Sequence, residues 1–165
     1  MKLGETALSF LACILLSLLP AFAQNPAQNS TTCTLADGKH LRVTYEPVSA
    51  KLDLKDGQVW APGNQPMILF SEADLTLAGT SIPIGAYSLY LVPGQAAWTL
   101  IVNRQVTAGA PYSKADDLVR APMPIGKLPS KGAHFQAYFA HVAPQQCNLR
   151  VDYGNTRAWV EIKEK

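Results

Sequence analysis

Three histidines are the first place to look for chemistry, because imidazole is both the commonest transition-metal ligand and the usual general base near neutral pH. His134 and His141 fall on one expected strand, 133–143, an odd number of residues apart. Side chains alternate across a strand, so these two point to opposite faces and cannot easily share an ion. His40 can meet only one of them. No Cys-x-x-Cys or His-x-His spacing occurs, and no metal or cofactor is expected. Asp53 and Asp56 bracket a turn, but two carboxylates without further oxygen ligands are an ordinary solvated loop rather than a calcium site. Glu72 and Asp74 are placed on one strand face, where an acid/base pair competes with a plain solvent-facing edge. A Gly-x-Ser-x-Gly elbow and a phosphate-cradling glycine loop are both missing, so no catalytic residue is assigned.

Aromatic side chains give the stronger hint. Trp and Tyr offer a broad apolar face with a polar tip, suited to stacking on sugar rings or peptide side chains. Trp98 and Trp159 lie in alternating runs and are expected in the core, whereas Trp60 and Tyr112 lie in loops. The stretch Val59-Trp60-Ala61-Pro62-Gly63-Asn64-Gln65-Pro66 concentrates a large aromatic, two prolines, a glycine and carboxamides ahead of an apolar run. It reads either as a rigid corner plugged by Trp60 or as the lip of a binding site. Trp60, Asn64, Tyr112 and His40 are the binding candidates.

These residues must be positioned by strands. Residues 39–46 alternate Leu41, Val43 and Tyr45 against His40, Arg42 and Thr44, the pattern of a half-buried strand. The continuous apolar run 67–70 suggests a strand buried on both faces. Residues 74–77 and 80–82 flank an Ala78-Gly79 turn. Residues 85–92 alternate most regularly, and 98–103 answer as their hairpin partner after Pro93-Gly94. The segment 105–117 is polar and rich in turn residues, a long loop of the kind often tied to function. Pro122 and Pro124 cannot donate to a ladder, which demotes 118–125 to an edge strand. Three last strands are expected at 133–143, 147–152 and 156–163, the final pair turning at Gly154-Asn155. No stretch beyond the N-terminal segment keeps a helical apolar stripe for three turns, and twelve Pro and eleven Gly punctuate the chain. The expected fold is all-β, an antiparallel β-sandwich of jelly-roll-like or Ig-like type.

The N-terminus reads as a targeting segment outside that fold. A basic start, an apolar run over 7–19, Pro20 and then Ala21-Phe22-Ala23 match a secretory signal peptide spanning 1–23. The run is shorter than the ~20 residues a membrane span needs, so no stable span is expected after cleavage. Cys13 within Leu11-Ala12-Cys13 raises lipidation as an alternative, although the apolar run continues past it. Residues 24–32 form a polar tether and 33–165 a single domain. Periplasmic or extracellular localisation follows. Cys33 and Cys147 then remain as a disulfide candidate against two unpaired thiols; closing a loop of ~100 residues is worth about 4–5 kcal/mol by the chain-entropy model. Formal net charge is +2 without a basic run, so nucleic acid and anionic membrane have no support as partners.

Several segments resemble a known family. Thr32-Cys33-Thr34-Leu35-Ala36-Asp37-Gly38-Lys39, Val59-Trp60-x-x-Gly63-Asn64, Ile82-Pro83-Ile84-Gly85-Ala86-Tyr87-Ser88-Leu89-Tyr90, Trp98-Thr99-Leu100-Ile101-Val102-Asn103 and Leu149-Arg150-Val151-Asp152-Tyr153-Gly154-Asn155-Thr156 follow the order seen in bacterial domain of unknown function 2911. The resemblance implies an exported, mostly β domain and no established activity. Members resemble Trp-Arg-x-Gly-Ala-Asn at the Trp60 loop, and this chain lacks that arginine, which weakens any anion site the loop would inherit. The leading expectation is therefore a non-enzymatic module that binds a small molecule, glycan or envelope protein through the face carrying Trp60. A hydrolase-like enzyme with dispersed residues and a structural envelope domain are the alternatives.

Overall fold

A computed structural model describes residues 28–51 and 53–165. The proposed signal peptide, Cys13 and the first part of the expected tether lie outside the described residues.

The described chain is built from antiparallel strands. β1 (Asn29–Thr34), β2 (His40–Tyr45) and β3 (Met67–Ser71) are followed by a short hairpin of β4 (Leu75–Leu77) and β5 (Thr80–Ile82). Next come β6 (Gly85–Val92), β7 (Ala97–Asn103), the long β8 (Asp117–Lys127), β9 (Gln136–Ala143), β10 (Gln146–Tyr153) and β11 (Thr156–Glu164). Their lateral order is β1-β2-β3-β6-β7-β8-β11-β10-β9, with the β4–β5 hairpin attached to β11. The two ends of this path approach each other. Phe139 N–H on β9 donates to Thr31 Oγ1 on β1 at 3.0 Å, and a Cys33–Cys147 disulfide joins β1 to β10. The result is an all-β antiparallel sheet nearly closed into a barrel around one core.

Alternation explains that core. Leu41, Val43 and Tyr45 on β2, Leu89 and Leu91 on β6, and Ala158, Val160 and Ile162 on β11 all point inward and are buried. At roughly 25 cal/mol per Å² of apolar surface removed from water, this shared interior is what orders so many short strands. The hairpin between β4 and β5 needs two left-handed residues, and Ala78 (φ 47°) and Gly79 (φ 78°) supply them.

Four expectations change against the structure. Strand β1 takes in residues 29–32, placed in the tether by their polarity; Ser and Thr lack an apolar period, but their backbone pairs with β2 from Asn29 onward. Strand β3 is buried on one face only, since Phe70 is 39% exposed and lies beneath the Arg42 guanidinium at 5.0 Å. Strand β8 is no edge strand: it pairs with β7 over 117–124 and with β11 over 125–127. The prolines survive there because the side of β8 away from β7 is unpaired at 122 and 124. Finally, β9 starts at Gln136, so His134 sits before it, bridged to Ser49.

Candidate functional site

The Trp60 loop begins with two backbone hydrogen bonds to β6. Trp60 N–H donates to Leu91 C=O at 2.7 Å, and Leu91 N–H returns to Trp60 C=O at 3.0 Å. This bridge turns the indole inward. Its ring meets Tyr153 at 5.0 Å, Phe135 at 5.5 Å and Trp98 at 6.3 Å between centroids, each in an edge-to-face arrangement. Trp60 therefore closes one end of the core as an aromatic plug.

The chain then reverses through a single 3-10 turn, Pro62–Asn64. Pro62 presets φ for its first residue, and Asn64 N–H closes it onto Ala61 C=O at 3.0 Å. Gly63 (φ 76°) has no substitute here. A β-carbon would stand 2.9 Å from Glu46 Oε2 and 3.1 Å from Glu46 Cβ. Asn64 also adopts φ 64°, a conformation Asn tolerates better than most residues. The effect is to separate neighbours: Trp60 goes into the core, while the Asn64 and Gln65 carboxamides stand at the surface.

A second segment comes to meet them. The loop after β7 is held at its base by Arg104 N–H on Asp116 C=O at 2.9 Å, and inside by Asn103, a buried residue only 1% exposed. Asn103 Nδ2 donates to Ser113 C=O at 2.8 Å and to Asp117 Oδ1 at 2.9 Å, and Asn103 Oδ1 accepts from Gln105 N–H at 2.9 Å. Asp117 Oδ2 in turn accepts from the Tyr112 hydroxyl at 2.7 Å and from Arg120 Nη1 at 2.9 Å; Arg120 also donates to that hydroxyl at 3.0 Å. Tyr112 lies edge-on to Tyr90, 5.0 Å between centroids. Burial, then the hydrogen bond to Asp117, holds the Tyr112 hydroxyl above its ordinary pKa. Burial does the same at Tyr90.

Between the two loops lies a cavity of about 420 Å³, lined by Val59, Asn64, Gln65, Pro66, Tyr90, Pro111 and Tyr112 among others. Its walls include two phenol rings and two carboxamides among small and apolar residues. Chemically, the carboxamides can donate and accept hydrogen bonds and the rings supply flat apolar area. The structure thus brings Asn64 and Tyr112 together and leaves Trp60 behind them in the core.

The match to known sequences is extensive. A profile for a protein family of unknown function, DUF2911, covers residues 28–162. The chain belongs to this family. Comparison with curated proteins and with solved structures yields no match. Within this DUF2911 protein the cavity uses the segment where the family's tryptophan loop falls, and Ala61 stands where the resemblance leads one to expect arginine.

His40 lies elsewhere, on the outer face of β2. Its backbone N–H donates to Glu72 Oε2 at 2.8 Å, and its Nδ1 approaches the same oxygen at 3.0 Å. The two side chains are 49% and 63% exposed, in a shallow hollow of about 320 Å³ with Thr32, Arg42 and Phe70. The hydrogen bonds from His40 lower the Glu72 pKa. Asp74, for which an acid/base pair with Glu72 competes with a solvent-facing edge in the sequence, accepts the Ile84 N–H at 3.0 Å. Among the described residues no three His, Cys, Asp or Glu side chains gather into a metal site, and no helix is long and apolar enough to cross a membrane.

Sequence reasoning missed two residues. Trp159, which the alternating run places in the core, lies on the outer side of β11, between buried Ala158 and Val160. The small and branched residues at 158, 160 and 162 mark the inward set, so strand parity carried the signal. Asn148, beside it on β10, has no such marker; only its surroundings make it unusual.

Proposed function

We propose that this protein is an exported, non-enzymatic binding module, a flattened β-sandwich in overall character, whose Asn64–Tyr112 cavity takes a small polar molecule or glycan unit. One observation carries the reading: loops far apart in sequence converge on a single cavity, and one of them is fixed from inside by the Asn103–Asp117–Tyr112–Arg120 network. A site held before its ligand arrives loses less freedom on binding. The buried Cys33–Cys147 disulfide and the secretory pattern of residues 1–23 support a periplasmic or extracellular setting.

The test is a thermal-shift screen of the purified, oxidised protein against envelope glycan fragments and short peptides, since a ligand of the native state raises the melting temperature by mass action. Asn64→Ala and Gln65→Ala remove exposed carboxamides without touching the core. Each is expected to weaken a genuine cavity ligand about tenfold, or about 1.4 kcal/mol. Unchanged binding of every hit in both variants would end the proposal.

A hydrolytic reading rests on His40 and Glu72 lying 3.0 Å apart, the geometry of an oriented general base. Loss of hydrolysis of a model ester in His40→Ala, with wild-type folding, would favour it over the binding module.

A further inference from the structure

Strands β8 and β11 pair only where residues 125–127 meet 156–158. Beyond that point β8 stays beside β7, while β11 runs on to meet β4 at Thr76. The sheet opens there into a notch of about 490 Å³, bordered by Pro122, Pro124, Asn148 and Trp159 and ending near Ala78 and Gly79 of the β4–β5 turn.

The hydrogen-bonding character of the walls follows from strand parity. The two-residue Gly154-Asn155 turn makes Tyr153 and Thr156 the closing bonded pair of its hairpin. Even-numbered residues of β11 therefore bond to β10, and the backbones of Trp159 and Glu161 face the other way, into the notch. Arg157 opposite Gly126 sets the phase of β8, so the backbones of Pro122 and Pro124 face the notch as well. Proline has a carbonyl and no N–H, so at these two positions the β8 wall accepts hydrogen bonds and cannot donate them. Asn148 adds another acceptor: its Oδ1 is buried and has no hydrogen-bond partner. An unpaired buried carbonyl is destabilising, and the broad χ2 torsion of Asn lets it turn toward a donor.

Charge at the rim is already matched. Glu161 carries Lys163 on Oε1 at 2.7 Å and Gln146 Nε2 on Oε2 at 2.6 Å. Nothing there recruits an ion. Along β8 the prolines present acceptors alone, while the unpaired N–H groups of Trp159 and Glu161 and the Thr76 hydroxyl line the opposite side. The notch thus both accepts and donates beside an indole, as a polyhydroxylated ring requires.

We propose that this notch binds one ring of a neutral saccharide. The apolar C–H face of the sugar lies against Trp159, and its hydroxyls donate to the carbonyls of Pro122 and Pro124 and to the Asn148 carboxamide. The site shares no residue with the Asn64–Tyr112 cavity and stands or falls separately from it.

The experiment is a ¹H–¹⁵N titration of the oxidised protein with glucose, galactose and N-acetylglucosamine, each to about 50 mM, where millimolar affinities saturate. Spermidine serves as a cationic comparator. Trp159→Phe identifies the indole resonance of residue 159. At least one of the three sugars is expected to shift that resonance saturably, spermidine to leave it in place, and Asn148→Leu to weaken the sugar about tenfold. Tyr112→Phe is expected to leave this binding unchanged. No shift with any of the three sugars, a shift with spermidine, or full affinity in a folded Asn148→Leu protein would each overturn the proposal.

Discussion

Trp60 and Tyr112 are the two loop aromatics that stand out in the sequence, and the structure uses them in opposite ways. Trp60 is clasped by backbone hydrogen bonds and driven into three aromatic rings. Tyr112 keeps its ring at a cavity wall and its hydroxyl in a polar network. Position in a loop thus says little about availability. The deciding factor is what lies behind the side chain: an unfilled apolar end of the core pulls Trp60 in, whereas the buried carboxamide of Asn103 gives the Tyr112 loop a polar support that holds it at the surface.

The largest test of this contrast is Trp60→Ala. Removing the plug is expected to cost about 3–5 kcal/mol in urea or guanidinium unfolding; a loss under about 1 kcal/mol would erase the distinction between the two aromatics. Asn103→Ala comes next, at about 1–3 kcal/mol, because Asp117 Oδ1 and the Gln105 N–H each lose a partner. Hydrogen exchange should rise across 104–117 and stay unchanged around Trp60. Uniform acceleration would show that the two regions are one cooperative unit. Tyr112→Phe is expected to cost about 1 kcal/mol, the net value of a hydroxyl whose ring remains in place.

The same tyrosine gives the contrast a pH signature. Its hydroxyl holds the proton more tightly folded than unfolded, so the unfolded chain ionises first as pH rises. Stability present below the ordinary value of 10 is therefore lost progressively above it. Tyr112→Phe should flatten part of that fall in alkaline unfolding curves; an identical slope would mean the hydroxyl feels no burial. The smallest effect is expected at the exposed His40–Glu72 pair, where both regions have their control. Opposed signs apply there: the Glu72 carboxyl is held below its ordinary pKa, so its contribution is present at neutral pH and lost as pH falls into the acid range. His40→Ala should shift the melting temperature by no more than about 2 °C.

Much of this arrangement was legible in the residues. Alternation located β2 closely, because one face of it is buried and the period of two is enforced by packing. Strands β6 and β7 are buried on both faces over 87–91 and 100–103, and the Pro93-Gly94 turn between them marked the hairpin. The Cys33–Cys147 pair was legible as a candidate once Cys13 is set aside with the expected signal peptide. The edge assignment of β8 failed for a physical reason. A proline forbids pairing only on the side its nitrogen faces, and sequence does not say which side a neighbour occupies. Likewise the polar run at 29–32 hid a strand, since backbone pairing needs no apolar side chains. Asn64 and Tyr112 could be picked out singly by turn chemistry, but their meeting depends on how β6 and β7 carry the two loops to one end, which no local pattern encodes.

The Cys33–Cys147 bond, spanning 114 positions of sequence, also makes most of the chain a covalent ring. A single cut in the exposed stretch near Val106 and Gly109 opens that ring without shedding a fragment, because both pieces stay tethered through β1 and β10. A nicked molecule therefore still runs as one species until the sulfurs are reduced. The loop that shapes the cavity can in this way be cleaved while the rest of the domain remains a single body.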